Sequence, residues 1–190
     1  MCNVYRNLKP ELINILAPFL GEKKLNLGCA LNHEEGFTNL DGNREVNPDV
    51  VHDLESVPLP FEDGSFDTVL GSHVFEHIRN FVPLVGDIYR VLKPGGYLIG
   101  ITPYASSDNA MDNPWHVRCF TEATWQYFSQ DMYRLETAGK GANEGYKGNF
   151  EIVRILLIPD KRFEGDPEIE FKKRHWRNVV RELQVVLRKT

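Results

Sequence analysis

Short apolar runs that each stop at glycine or aspartate constrain this chain more than any other feature. Lys24-Leu25-Asn26-Leu27 stops at Gly28, Phe37-Thr38-Asn39-Leu40 at Asp41, and the run opened by Val50-Val51 at Asp53-Leu54. A fourth run, Phe66 to Gly71, leads into a helical pattern that starts near Ser72. A fifth, Tyr97 to Ile101, is almost wholly apolar. Strand-like runs alternating with helix-like patterns are the mark of βαβ units on a parallel sheet, and continuous apolar runs suit strands buried on both faces. Between the last two runs, Asn80 to Leu92 places Phe81, Leu84, Val85, Ile88, Tyr89 and Leu92 on one side of a helix. Lys93-Pro94-Gly95-Gly96 then terminates it.

The rest of the chain reads less regularly. Residues 10–20 read as a short opening helix. Residues 104–119 have no period and are rich in Ser, Asn, Asp and Pro, and a loop of that length in a compact domain usually carries function. Thr121 caps a following helix, with Thr124 where a capping box would have Glu. Residues 133–138 and 149–158 read as a closing hairpin. The segment 167–187 reads as a helix with Trp176, Val180, Leu183 and Leu187 on one face. The expected organisation is one domain over 1–165, followed by a basic amphipathic helix over 166–190 that packs on the body or pairs two subunits.

Composition narrows the function. The 190 residues carry a net charge of −5. From Lys172 to Thr190 seven basic residues face one acid, Glu182, so the tail is +6 and the remainder −11. So acidic a body disfavours a nucleic-acid footprint, and the tail reads as a solvated face. No apolar run approaches the ~18 residues of a membrane span. Three scattered cysteines and a start broken by Asn14 and two prolines fit a cytoplasmic protein without a disulfide framework.

In open α/β sheets, ligands bind outside the carboxyl ends of the strands, at the point where strand order reverses. Gly28, Asp41 and Asp53 stand at three such ends. Asp41 suits a ribose diol and Asp53 an exocyclic amine, which together suggest a nucleoside-bearing ligand. A dinucleotide-binding dehydrogenase is excluded because no G-x-G-x-x-G follows the first strand. Cys29 reads as a small residue in a tight turn, since no base lies near it in sequence.

The segments KLNLGCA (24–30), NLDG (39–42), DVVHDLESVPLPFEDGSFDTVLGSHVFEHI (49–78) and YRVLKPGGYLIGITP (89–103) resemble the class I S-adenosylmethionine-dependent methyltransferases, in particular the small bacterial and phage branch. The resemblance implies a Rossmann-like three-layer α/β sandwich. Its sheet would have seven mostly parallel strands with the last one antiparallel. It further implies methyl transfer from S-adenosyl-L-methionine to an O or N acceptor on a small or glycan-type molecule, with S-adenosyl-L-homocysteine as product. By motif position, Asn26, Gly28 and Cys29 would line the methionine end, Asp41 and Gly42 the ribose, and Asp53 and Leu54 the adenine. Ser72 and His73 would border the transfer cavity. Asn26 stands where the family usually has an acid, and Ala30 where it has a second glycine. Only 13 residues separate Gly28 from Asp41, so the first crossover must be short.

Four histidines, His52, His73, His77 and His116, lie in or near the expected crevice. His73-x-x-Glu76-His77 would sit on one helical face, and His116 comes from the loop after the fifth strand. An imidazole can serve as general base, which makes His73 and His116 the catalytic candidates. His73, Glu76, His77 and His116 could alternatively hold a divalent metal, as in the similar arrangement of small-RNA 2′-O-methyltransferases. Less than stoichiometric metal is the expectation. Residues 104–119 are expected to form a lid, anchored at Trp115, that closes His116 over the donor. A metal-assisted RNA or nucleotide 2′-O-methyltransferase is the second reading. A non-catalytic cofactor-binding subunit is the third.

Overall fold

The computed structural model describes residues 16–130 and 146–190. Residues 10–15 of the helix expected over 10–20 and the strand expected over 133–138 lie outside the described residues, and Ala17–Phe19 form a 3-10 turn. Seven strands make one sheet: β1 (Lys24–Leu27), β2 (Thr38–Asp41), β3 (Val50–Val51), β4 (Phe66–Ser72), β5 (Leu92–Pro103), β6 (Phe150–Pro159) and β7 (Val180–Lys189). Their spatial order is β3-β2-β1-β4-β5-β7-β6. The first five pair in parallel, and β7 runs antiparallel between β5 and β6. This is the sheet the resemblance implies.

Side chains alternate across it. Leu25, Leu27, Val69, Leu98, Val185 and Leu187 join the larger apolar core, while Leu70, Ile99, Ile101 and Val186 join a smaller one. That division puts packed layers on both faces, as parallel strands require. The larger core takes α1 (Phe81–Val91) and α2 (Glu122–Gln126), the latter capped by Thr121, whose backbone N–H donates to Thr124 Oγ1 at 3.1 Å.

One expectation about the chain's last third needs correction. The helix expected over 167–187 is a short α3 (Ile169–His175) followed by β7, so the tail 166–190 is not a separate helical unit or helical dimer face. Val180, Leu183 and Leu187 match a helical spacing, but Leu183 to Leu187 are buried without a break. A central strand buried on both faces has no period of two to reveal it. The strand expected over 149–158 is β6, and its partner among the described residues is β7.

The basic tail is also paired in space. Lys172 meets Asp166, Lys173 meets Glu122, Arg177 meets Asp108 at 2.7 Å, and Arg188 meets Glu151. These acids come from several elements, so the charge asymmetry along the sequence does not become a one-sign face.

The strand expected over 97–101 begins at Leu92. Lys93 to Gly96 lie inside it as an irregularity, with Phe66 and Thr68 of β4 opposite Leu92 and Tyr97. The helix expected from Ser72 is absent. Ser72 ends β4, His73 takes a left-handed φ of 52°, and Phe75–His77 form one 3-10 turn. Phe75 presses its ring against the backbone of Gly71, where a Cβ would collide with it. Phe75, Phe81, Phe120, Trp125 and Phe128 then form one aromatic cluster with neighbouring centroids 5.2–6.1 Å apart. Edge-to-face pairs add about 0.5–1.5 kcal/mol each beyond their buried area. The cluster fixes the turn after β4 relative to the segment after β5.

Candidate active site

Register brings the strand ends together. Leu27 lies opposite Leu40 on one side and Gly71 on the other, so the residues following β1, β2 and β4 leave the sheet at one edge. Strand order reverses between β1 and β4, which makes this the switch point.

At that edge Gly28 has φ +61°, and a Cβ there would strike the Val74 side chain. The Asp41 carboxylate accepts from the Ala30 N–H on one oxygen and from the Asn43 N–H on the other, each at 2.8 Å. It thus joins the loops after β1 and β2. Asp53 is exposed, and Leu54 beside it is buried. Cys29 is buried, and burial with the nearby Asp41 charge pushes its thiol up to about 11.

Asn26, buried at the position of the usual acid, donates its amide to Asn32 O at 3.1 Å and to Asn39 Oδ1 at 2.9 Å. Asn39 in turn donates its backbone N–H to Asp49 at 2.7 Å. This buried network holds the short first crossover with Asn26 in place of the usual acid. Sequence reasoning missed Asn39 and Asp49 because single polar residues next to turns carry no pattern.

It also missed Glu55, whose carboxylate accepts the Arg79 and Asn80 N–H groups at 2.8 and 2.9 Å at the start of α1. Glu182, hidden in a strand that reads as helix, was missed for the same reason as β7. His73 Nε2 lies 3.2 Å from Glu182, and its Nδ1 lies 3.5 Å from Glu76. Burial lowers the basicity of this imidazole, but the hydrogen bonds to Glu182 and Glu76 outweigh it and carry the pKa up to about 9. The left-handed backbone turns His73 away from the other histidines, contrary to the single helical face expected.

Glu76, His77 and His116 do converge. One ligand atom from each lies within 4.8 Å of the others, and the two rings meet edge to face at 4.6 Å. Burial lowers the His77 pKa. His116 Nδ1 is bonded to Ala110 O at 3.1 Å, and the Val117 N–H donates to Glu76 O at 2.8 Å.

The segment 104–119 is therefore tied to the turn after β4. Trp115 is not its anchor, being 76% exposed. Arg118 does anchor it, lying 4.8 Å from the Phe81 ring centroid and donating to Arg79 O at 3.2 Å.

The sequence profile of the methyltransferase domain family matches residues 29–100, from the exit of β1 into β5. A Mycolicibacterium smegmatis protein assigned as an S-adenosylmethionine-dependent methyltransferase is 35% identical over 137 residues, 70% of this chain and 45% of its own. Residues 29–100 therefore match the methyltransferase domain, and the chain is similar to class I S-adenosylmethionine-dependent methyltransferases. S-adenosyl-L-methionine is the cofactor that this family implies.

The chain spans about half the length of that relative. Among solved structures, an Archaeoglobus fulgidus S-adenosylmethionine-dependent methyltransferase superposes with a TM-score of 0.64 at 17% identity, over 93% of this chain and 91% of its own. The [4+2]-cyclase SpnF superposes at 0.58 with 15% identity, over 94% of this chain and 80% of its own. The methyltransferase fold thus hosts more than one chemistry, and the reaction has to be argued from the site. Among the described residues, no helix is long and apolar enough to cross a membrane.

Proposed function

We propose that this protein transfers a methyl group from S-adenosylmethionine to a hydroxyl of a small, sugar-like acceptor. Asp41 carries the reading. Its two backbone hydrogen bonds use one lone pair on each oxygen, which leaves others for a ribose diol. Beside it, left-handed Gly28 lets a ligand approach the main chain closely. Asp53 would accept from the adenine amine, with Leu54 as an apolar wall. Asn26 and Gly42 shape the loops around them, and Cys29 and Ser72 border the methionine end. The residues present therefore fit the cofactor, despite Asn26 and Ala30.

Bound there, S-adenosylmethionine supplies an electrophilic methyl on a sulfonium and is left as a neutral thioether. The acceptor oxygen contributes the electron pair of the new C–O bond and releases its proton. His73 holds its own proton at neutral pH between Glu76 and Glu182, so it serves to orient the end of β4. Acceptor activation falls to the wall formed by Glu76, His77 and His116. Exposed Trp115, next in sequence to His116, offers a flat apolar face on which a sugar ring can lie.

Isothermal titration with S-adenosylhomocysteine tests the cofactor side. Asp41→Asn should weaken binding by roughly 1.5–3 kcal/mol, the loss of a charge-assisted hydrogen bond. Parental affinity in that variant would refute the placement of the ribose. Transfer of a tritiated methyl to hydroxyl compounds, and not to amines, is the expected outcome on the acceptor side.

A further inference from the structure

We infer that Glu76, His77 and His116 form a binding site for one divalent transition-metal ion at the acceptor wall. The ligand atoms lie within 4.8 Å of one another. A single ion with bonds of about 2.0–2.2 Å brings neighbouring ligands to about 3 Å, so closure is a matter of side-chain rotation. Two imidazoles and one carboxylate are a donor set that suits Zn, Co, Mn or Fe and leaves coordination positions open.

Two further observations favour an ion over a merely packed cluster. Glu76 is 2% exposed, and its Oε2 has no hydrogen-bond partner among the described residues. A carboxylate oxygen is costly to bury without a partner, and a cation removes that cost. His116 Nδ1 is engaged by Ala110 O, which leaves Nε2 as the lone-pair nitrogen. Metal-bound histidines are characteristically fixed through their second nitrogen in this way. His73 is outside the set because its ring is turned to Glu182.

The inference rests on the reading of this crevice as a methyl-transfer site in one respect, the role of the ion. Its open positions would bind oxygen atoms of the acceptor, most effectively two neighbouring hydroxyls, and make the reacting one easier to deprotonate.

The test is a titration of chelator-treated full chain with CoCl2, followed by visible absorption and calorimetry. One Co²⁺ per chain is expected, with the visible bands of a nitrogen-ligated ion. His77→Ala and His116→Ala should each weaken it by roughly tenfold or more, and Glu76→Gln should do likewise. His175→Ala, which changes an exposed histidine on α3, should bind as the parent does. S-adenosylhomocysteine affinity measured on the same samples should remain parental, which separates loss of the ion from loss of the fold. It also separates this inference from the cofactor reading, since either can fail while the other stands. Absence of stoichiometric Co²⁺ in the parent overturns the inference. So does a His77→Ala, His116→Ala double variant that binds one Co²⁺ with parental affinity.

Discussion

Cys29 and His73 show how a residue's surroundings decide its chemistry. A thiol pushed up to about 11 by burial and Asp41 is almost wholly protonated at pH 8, so it cannot act as a nucleophile there. Iodoacetamide at pH 8 should therefore label exposed Cys119 and spare Cys29, with Cys29 reacting only as the pH approaches 11. Peptide mapping that finds equal labelling of the two would contradict this. The sequence already suggested an inert Cys29, because no base lies near it. His73 was not legible in the same way. A non-glycine residue with positive φ carries no sequence signal, and that single dihedral turns the ring from His77 towards a carboxylate 109 positions later.

At the scale of elements, the parallel half of the sheet could be read because each strand ends at a residue with a distinctive role. Gly28, Asp41 and Ser72 all leave the sheet at one edge. The turn after β4 could not be read, because its course is set by Phe75 folding back on Gly71 rather than by helical propensity. Gly71→Ala should therefore displace the ring and cost roughly 1–3 kcal/mol, as overpacking does, measurable by denaturant unfolding. Since Glu76 and His77 follow Phe75 directly, the same variant should also disturb their approach to His116. An unfolding midpoint equal to that of the parent would show that the aromatic cluster can yield at no cost. Truncating the cluster at Trp125→Ala is the harsher change, with an expected loss of about 3–5 kcal/mol.

For the whole molecule, the resemblance of residues 24–103 gave the correct sheet, while the reading of the tail as a helix was wrong. The apolar stretch of β7 fits either element until its neighbours are known, and only the sheet supplies them. Acids from six different positions along the chain likewise pair with Lys172, Lys173, Arg177 and Arg188 of the basic tail, which no running charge count reveals. Ending the chain after residue 176 should therefore do more than trim a terminus. It removes the strand between β5 and β6, and loss of cooperative thermal unfolding is the expected result. A truncated protein that melts like the parent would contradict the central place of β7.

That placement also sets an order in time. During synthesis the ribosome delivers β6 before β7, its partner among the described residues, so a nascent chain that has already assembled its parallel half must carry β6 without that partner until β7 emerges. The cell then has to protect a half-apolar strand until β7 has been made, and binding of a holdase chaperone to stalled chains lacking β7 is where that burden would first be seen.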